Sequence, residues 1–337
     1  MSRPAIVLAM EPSRTEHVLP DEVLRRLNTI GRLLDPEPLQ RLDDGRARRL
    51  LSEAEVLITG WGAPYVGPEL PAAAPRLRLI VHAAGTVKGI IDEAIFETAT
   101  IAVSHSAEAN AVPVAEFTLA AILFAGKRAF RFRDLYVADR NRDRTYPMQR
   151  EAIGNYGRTV GIVGASRIGR RVIELLKPFD YRLLLFDPML DAAEAAGLGA
   201  EKVDLDELMQ RADIVSLHAP SLPSTRHMID ARRLSLMKDG ATLINTARGI
   251  LIDEAALLLK LKTGRIDAVI DVTDPEIPEV GSAFYDLPNV FLTPHIAGAI
   301  GLERARLGEM AADEVERFVA GRPLLYQIHR ENLENIA

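Results

Sequence analysis

Short unbroken apolar runs alternate along this chain with stretches whose apolar residues return every three or four positions. That is the pattern of buried strands separated by amphipathic helices. Ala5–Met10 reads as a strand, and Leu19–Leu34, apolar at Val23, Leu24, Leu27, Ile30 and Leu33, reads as a helix. Glu55–Thr59 and Leu77–Val81 repeat the strand signal and end in Gly60-Trp61-Gly62 and Ala84-Gly85-Thr86. Such strand-to-loop ends are where open α/β sheets hold ligands, so the first third of the chain predicts a small α/β domain.

Ala115–Arg128 is a strongly apolar helical stretch, followed by an irregular segment carrying Arg131, Arg133, Arg140, Arg142, Arg144 and Arg150. Asp134, Asp139 and Asp143 interleave with these arginines, which favours a solvated or subunit-facing surface over a nucleic-acid patch. From Thr159 the alternation tightens. Strands are predicted at Thr159–Val163, Arg182–Phe186, Ile214–His218, Thr242–Asn245, Ala268–Val272 and Val290–Leu292. Helices are predicted at Ile168–Leu176, Leu205–Gln210 and Asp253–Leu261. Alternation at this spacing builds a parallel, doubly wound sheet. A last helical stretch, Leu302–Ala320, is expected to return the C-terminus to the first domain.

Composition narrows the chemistry. The 337 residues contain no cysteine, which excludes disulfides, thiolate catalysis, zinc ribbons and iron–sulfur clusters and suits a reducing, cytoplasmic setting. The net charge of −6 argues against general polyanion binding. No run approaches the ~18 consecutive apolar residues of a membrane span, and the N-terminal apolar run is too brief for a signal-peptide core, so no membrane is expected as a partner.

The strand Val160–Val163 runs into Gly164-Ala165-Ser166-Arg167-Ile168-Gly169. This loop matches the dinucleotide fingerprint G-x-G-x-x-G at its first and third glycines and departs from it at Ser166. The first glycine permits the tight turn, and the third lets helix pack on strand. The residue between them faces the pyrophosphate, to which Ser166 can offer a hydroxyl directly or through water. Alone, the loop reads equally as a structural turn. Asp187 adds weight, because it ends the next strand 23 residues on from Gly164, where an acid accepts the ribose hydroxyls and repels a 2′-phosphate. That position implies NAD rather than NADP; the plainer reading is a turn residue before Pro188.

Three further segments fall at predicted strand ends: Asn245-Thr246-Ala247-Arg248-Gly249, Asp271-Val272-Thr273-Asp274-Pro275-Glu276, and Thr293-Pro294-His295-Ile296-Ala297-Gly298. Together they offer a fixed cation, a carboxylate and an imidazole. A guanidinium grips a carboxylate with two parallel hydrogen bonds and polarises a neighbouring carbonyl. An imidazole beside a carboxylate passes a proton near neutral pH.

At these residues the chain resembles the D-isomer-specific, NAD-dependent D-2-hydroxyacid dehydrogenases, over about Arg78 to Gly298. Further residues that carry the resemblance are Asn110 with Val114-Ala115-Glu116, His218-Ala219-Pro220 with Ser224-Thr225, Asp253-Glu254, and Leu287-Pro288-Asn289-Val290. The resemblance implies two doubly wound α/β domains. A Rossmann-type NAD-binding domain, residues 110–300, would be inserted into a smaller flavodoxin-like substrate domain, residues 1–109 plus 301–337. It implies exchange of a hydride between NAD and C2 of a small 2-oxo or 2-hydroxy acid, with no metal. His295 would be the general acid/base, Glu276 its paired carboxylate, and Arg248 the holder of the substrate carboxylate and 2-oxo group. Cofactor contacts would come from Gly164, Ser166, Arg167, Ile168, Gly169, Asp187, Ala219, Pro220, Thr225, Thr246, Ala247, Arg248, Asp271, His295 and Gly298. Gly85, Thr86, Val87 and Asn110 would join Arg248 around the substrate.

Two departures bear on substrate identity. Lys88-Gly89-Ile90-Ile91-Asp92 stands where the family often has Asp-Asn-x-Asp, and Glu276-Ile277-Pro278-Glu279 alters the usual acidic-proline run. Lys88 is a candidate contact for an acidic substrate, against the plainer reading of a solvated loop lysine. Trp61, the sole tryptophan, either walls the substrate mouth or fills a core edge, with the core edge favoured. A formate-dehydrogenase-like reaction is disfavoured because that branch pairs its histidine with glutamine. The alternative from another class is an NAD(H)-sensing binding protein resembling the C-terminal-binding-protein corepressors. The family also implies a homodimer, built through the nucleotide domain.

Overall fold

A computed structural model describes residues 3–335. It divides into two compact units, one made of the chain up to Ala111 with the chain from Ala299 onward, the other Val112–Gly298.

In the first unit the apolar runs become β1 (Ala5–Ala9), β2 (Arg32–Leu33), β3 (Val56–Thr59), β4 (Leu79–His82) and β5 (Ala102–His105). They pair in parallel in the order β2-β1-β3-β4-β5, the flavodoxin-like arrangement. β1, β3 and β4 are buried along their whole length, as strands covered by helices on both faces must be. The helix predicted to reach Leu34 is Asp21–Ile30. Past Gly31 the chain is extended, and Arg32 N–H and Leu34 N–H donate to Pro4 and Ile6 carbonyls, so Leu33 continues the apolar period as an edge-strand residue. β5 has no apolar run because Ser104 and His105 are buried there with hydrogen-bond partners.

The second unit carries β6 (Thr159–Val163), β7 (Arg182–Phe186), β8 (Glu201–Lys202), β9 (Ile214–Leu217), β10 (Thr242–Asn245), β11 (Asp267–Ile270) and β12 (Val290–Leu292). The order β8-β7-β6-β9-β10-β11-β12 is the Rossmann order with one strand added at an edge. All these pairs are parallel. The strand order reverses between β6 and β9, and the crevice beyond their C-terminal ends is the natural ligand position. Beyond it, β13 (Gln327–Ile328) returns to the first unit and lies antiparallel on β5.

Two sequence expectations are corrected. The segment after Arg128 is not irregular: Ala129–Asp139 and Thr145–Met148 are helical, with Arg144 paired to Asp139 and Arg133 to Asp134. The apolar helix is longer than expected, Ala107–Gly126, with Pro113 inside it. By length and composition it is apolar enough to cross a membrane. Ala115, Ala121, Ile122 and Ala125 are packed into the core of the second unit, so part of the apolar surface of this stretch is used by the fold, while Phe124 stays exposed.

Candidate active site

The glycine loop is shaped by backbone contacts. Gly164 has φ of +99°, and a Cβ there would stand 2.8 Å from the Ala219 nitrogen. The loop after β6 therefore lies directly against the segment after β9, and only glycine fits. Gly164 N–H donates to the Phe186 carbonyl (2.8 Å) and Ala165 N–H to Asp187 Oδ2 (2.7 Å). Ser166 is the N-cap of the helix Arg167–Leu176, its Oγ accepting from Gly169 N–H (3.3 Å). The serine in the second glycine position thus starts the helix whose dipole and N–H groups favour an anion. Its hydroxyl proton is left for a phosphate.

Asp187 combines both sequence readings. Oδ2 holds the glycine loop and Oδ1 accepts from Met189 N–H (2.8 Å), so the carboxylate is a turn residue with one protein bond on each oxygen. A carboxylate oxygen accepts two, which leaves capacity for ribose hydroxyls. These features fit a dinucleotide: a turn only glycine can make, a capped helix N-terminus, and an acid with spare acceptors after β7.

Other expected contacts have their side chains already engaged. Thr225 donates to the Pro220 carbonyl (2.6 Å) and accepts from Leu222 N–H (2.9 Å). Thr246 is buried against Thr118, Oγ1 to Oγ1 2.9 Å. Ala219 and Ala247 are buried, Ile168 packs on the core, Pro220 and Gly298 are partly exposed, and Arg167 is exposed at the first turn of its helix. His218, quoted only as part of a motif, proves to be a fully enclosed neutral imidazole. Burial pushes its pKa down to about 3, and its Nε2 meets Ser216 Oγ at 2.9 Å.

The loops after β10, β11 and β12 bring the catalytic candidates together. His295 Nδ1 lies 2.5 Å from Glu276 Oε1, with both side chains about half exposed. His295 sits at φ +54°, a left-handed conformation that a non-glycine residue adopts only when held. Asp271 does the holding. Its carbonyl accepts from His295 N–H (2.9 Å), and its buried carboxylate accepts from Thr293 Oγ1 (2.7 Å), Ile296 N–H (2.8 Å) and Ala297 N–H (2.9 Å). Asp271, expected as a cofactor contact, also supports the histidine turn.

Arg248 follows β10 and donates to the Ala247 carbonyl (2.6 Å). Crowding by the surrounding protein lowers its pKa, opposed by the negative charge of Glu276, and it stays a cation because the ordinary value is near 12.5. Glu276 thus faces an imidazole and feels a guanidinium.

In the first unit, Gly85 and Thr86 are partly exposed and Val87 is buried at the end of β4. The Gly85 carbonyl meets His105 Nδ1 at 3.1 Å, and Lys88 N–H donates to Thr86 Oγ1 (3.3 Å) on the exposed side of the loop. Asn110 Oδ1 accepts from Ala299 N–H (3.1 Å). Trp61 packs against the core of this unit with Arg304 over its ring, in keeping with a core-edge role.

A doubly wound dinucleotide unit with an imidazole–carboxylate pair and an arginine at its strand ends defines a class of dinucleotide-dependent oxidoreductases. Residues 119–297 match the family model for the NAD binding domain of D-isomer specific 2-hydroxyacid dehydrogenases, and the chain belongs to that family. It is 33% identical over 273 residues to the D-3-phosphoglycerate dehydrogenase of Methanocaldococcus jannaschii, covering 80% of this chain and 51% of that one. This chain spans about half the length of the phosphoglycerate dehydrogenases it matches. It is 32% identical over 339 residues to the glyoxylate reductase of Aeropyrum pernix, covering 98% and 97%. Among solved structures, an acyclic imino acid reductase, Bsp5, in complex with NADPH and D-Arg superposes with a TM-score of 0.72 at 27% identity, covering 96% and 99%.

Proposed function

We propose that this chain interconverts a 2-oxo acid and its D-2-hydroxy acid, using NAD. The observation that carries the reading is the His295–Glu276 pair, 2.5 Å apart at the strand ends of a dinucleotide-type sheet. The loop Gly164–Gly169 with Asp187, and the backbone around Ala219, Pro220 and Thr246, would hold the dinucleotide; when bound, it supplies or takes up the hydride at C2. Arg248 grips the substrate carboxylate and polarises the adjacent carbonyl. His295 holds a proton for that carbonyl oxygen in the reductive direction and removes it from the hydroxyl in the oxidative one, and Glu276 stabilises the charged imidazole in between. The Gly85–Val87 loop and Asn110 are assigned to the substrate by family resemblance.

The test is NADH oxidation by the purified chain across glyoxylate, hydroxypyruvate, its phosphorylated form and bulkier 2-oxo acids. We expect turnover of at least one of them and a preference for NADH over NADPH, because a 2′-phosphate beside Asp187 meets like charge. Tight NADH binding with turnover of none would replace the enzyme by a dinucleotide-sensing protein.

We further propose a homodimer formed through the Val112–Gly298 unit. The helix Ala129–Asp139 has no buried residue, and Phe124, Tyr136 and Val137 are each more than half exposed. Apolar surface of this kind calls for a partner. Sedimentation at the mass of one chain would remove the proposal.

A further inference from the structure

Glu254 belongs to none of the roles above. It is the first residue of the helix Glu254–Lys262, directly after the N-cap Asp253, whose side chain accepts from Ala256 N–H. Glu254 Oε1 accepts from the backbone N–H of Asp274 at 2.7 Å, in the loop that carries Glu276. The same peptide is pressed from another side by the Arg248 loop. A Cβ on Gly249 would overlap the Thr273 carbonyl and stand 2.5 Å from Asp274 N. Thr273 Oγ1 in turn donates to the Glu276 carbonyl at 2.9 Å. One peptide unit, Thr273–Asp274, is therefore clamped between the neighbour of Arg248 and the start of a helix, and Glu276 hangs from it.

We propose that Glu254 is a positioning residue for the Glu276–His295 pair: its hydrogen bond to Asp274 N–H fixes the loop that sets the carboxylate against the imidazole. The inference rests on the acid/base reading given above. The charged group that acts on Glu254 is Asp274, whose backbone it holds, and Arg226 lies 3.9 Å from the Asp274 carboxylate. Burial, with the charge of Asp274 adding, pushes the Glu254 carboxyl up to about 7. Near neutral pH it is thus only partly ionised, and an acceptor oxygen faces Asp274 N–H in either form. The clamp is a hydrogen bond rather than a charge, so glutamine can replace it and aspartate, one methylene shorter, cannot.

Three variants separate the possibilities. Glu254→Asp keeps a carboxyl at the helix N-terminus, where acids are favoured, and loses reach. We expect kcat for 2-oxo acid reduction to fall about 10- to 100-fold, the scale of a misplaced catalytic group, with NADH affinity within about twofold of native. The pH above which reduction fails should fall by about one unit, because an imidazole that loses its carboxylate partner gives up its proton more readily. Glu254→Gln retains the acceptor and should restore the native profile. Glu254→Ala should resemble the aspartate variant if it folds. A Glu254→Asp protein with the native pH profile, or a Glu254→Gln protein as impaired as Glu254→Asp, overturns the proposal. Titration of the His295 ring by NMR in native protein and Glu254→Asp needs no turnover. A lower midpoint in the variant supports the clamp even if no 2-oxo acid proves to be a substrate, and an unchanged midpoint in a turning-over enzyme sinks the clamp alone.

Discussion

Arg248 is held at its neighbour's carbonyl, and His295 by the carbonyl and carboxylate of Asp271 together with the Glu276 side chain. The Arg248 guanidinium donates to its neighbour's carbonyl and leaves other N–H groups for a ligand. Arg248→Lys keeps the charge but loses the planar fork, and a point-charge ammonium cannot hold carboxylate and carbonyl together. The expected result is a loss of at least about 100-fold in kcat/KM for every 2-oxo acid, equivalent to about 2.7 kcal/mol of transition-state stabilisation. Near-native kinetics would make Arg248 structural and move the carboxylate elsewhere. The residue types and positions at this scale were legible in the sequence. The left-handed backbone of His295 and the carboxylate of Asp271 beneath its turn were not. A buried aspartate used as a scaffold and one used as a ligand contact are the same letter in the sequence.

At the scale of elements, the loop between β6 and the helix Arg167–Leu176 joins folding to binding. Gly164 requires positive φ and touches Ala219, whereas Ser166 occupies an ordinary extended N-cap conformation. Substitution should separate the two positions. Gly164→Ala should abolish NADH binding and lower the melting temperature, through backbone strain and overlap with the segment after β9. Ser166→Gly should cost only a few tenths of a kcal/mol and Ser166→Ala about 1 kcal/mol, as for other N-caps. Thermal melts and NADH fluorescence titration of the three variants check this, and NADH binding retained by Gly164→Ala would refute the loop assignment. Six of the seven strands of the second unit were readable to within two residues because each carries a short apolar run, whereas β8, two exposed polar residues at the sheet edge, carries none. β5 was hidden by its buried polar residues. The helix after Arg128 was hidden because none of its residues is buried, so it has no apolar stripe to read.

Across the whole molecule, each unit encloses a histidine that burial holds neutral, His82 in the first and His218 in the second, with pKa values pushed down to about 3. In the unfolded chain these rings take up protons below about pH 6.5. Each therefore contributes stability that is complete above that pH and is lost as the pH falls toward 3, up to about 2 kcal/mol per histidine by pH 5. Glu254 acts in the opposite sense, because a carboxyl raised in the fold favours the folded state at lower pH. Asp267, whose carboxyl burial also raises, acts in the same sense as Glu254, and the two histidines outweigh both, so the urea midpoint should drop between pH 7 and pH 5. His218→Gln, able to keep the Ser216 bond, should show a smaller drop, and an unchanged drop would mean that His218 is not the acid-labile group. The order of apolar runs determined two doubly wound sheets, because strand burial and the handedness of parallel crossovers leave few other ways to cover them. The glycine loop, the acid after β7 and the three strand-end segments were likewise fixed by spacing. Which carboxylate supports a turn, which meets an imidazole and which clamps a neighbouring loop was decided only in three dimensions. Asp271, Glu276 and Glu254 take those different roles according to the backbone N–H groups and side chains brought beside them from distant parts of the chain, and no local pattern encodes that proximity.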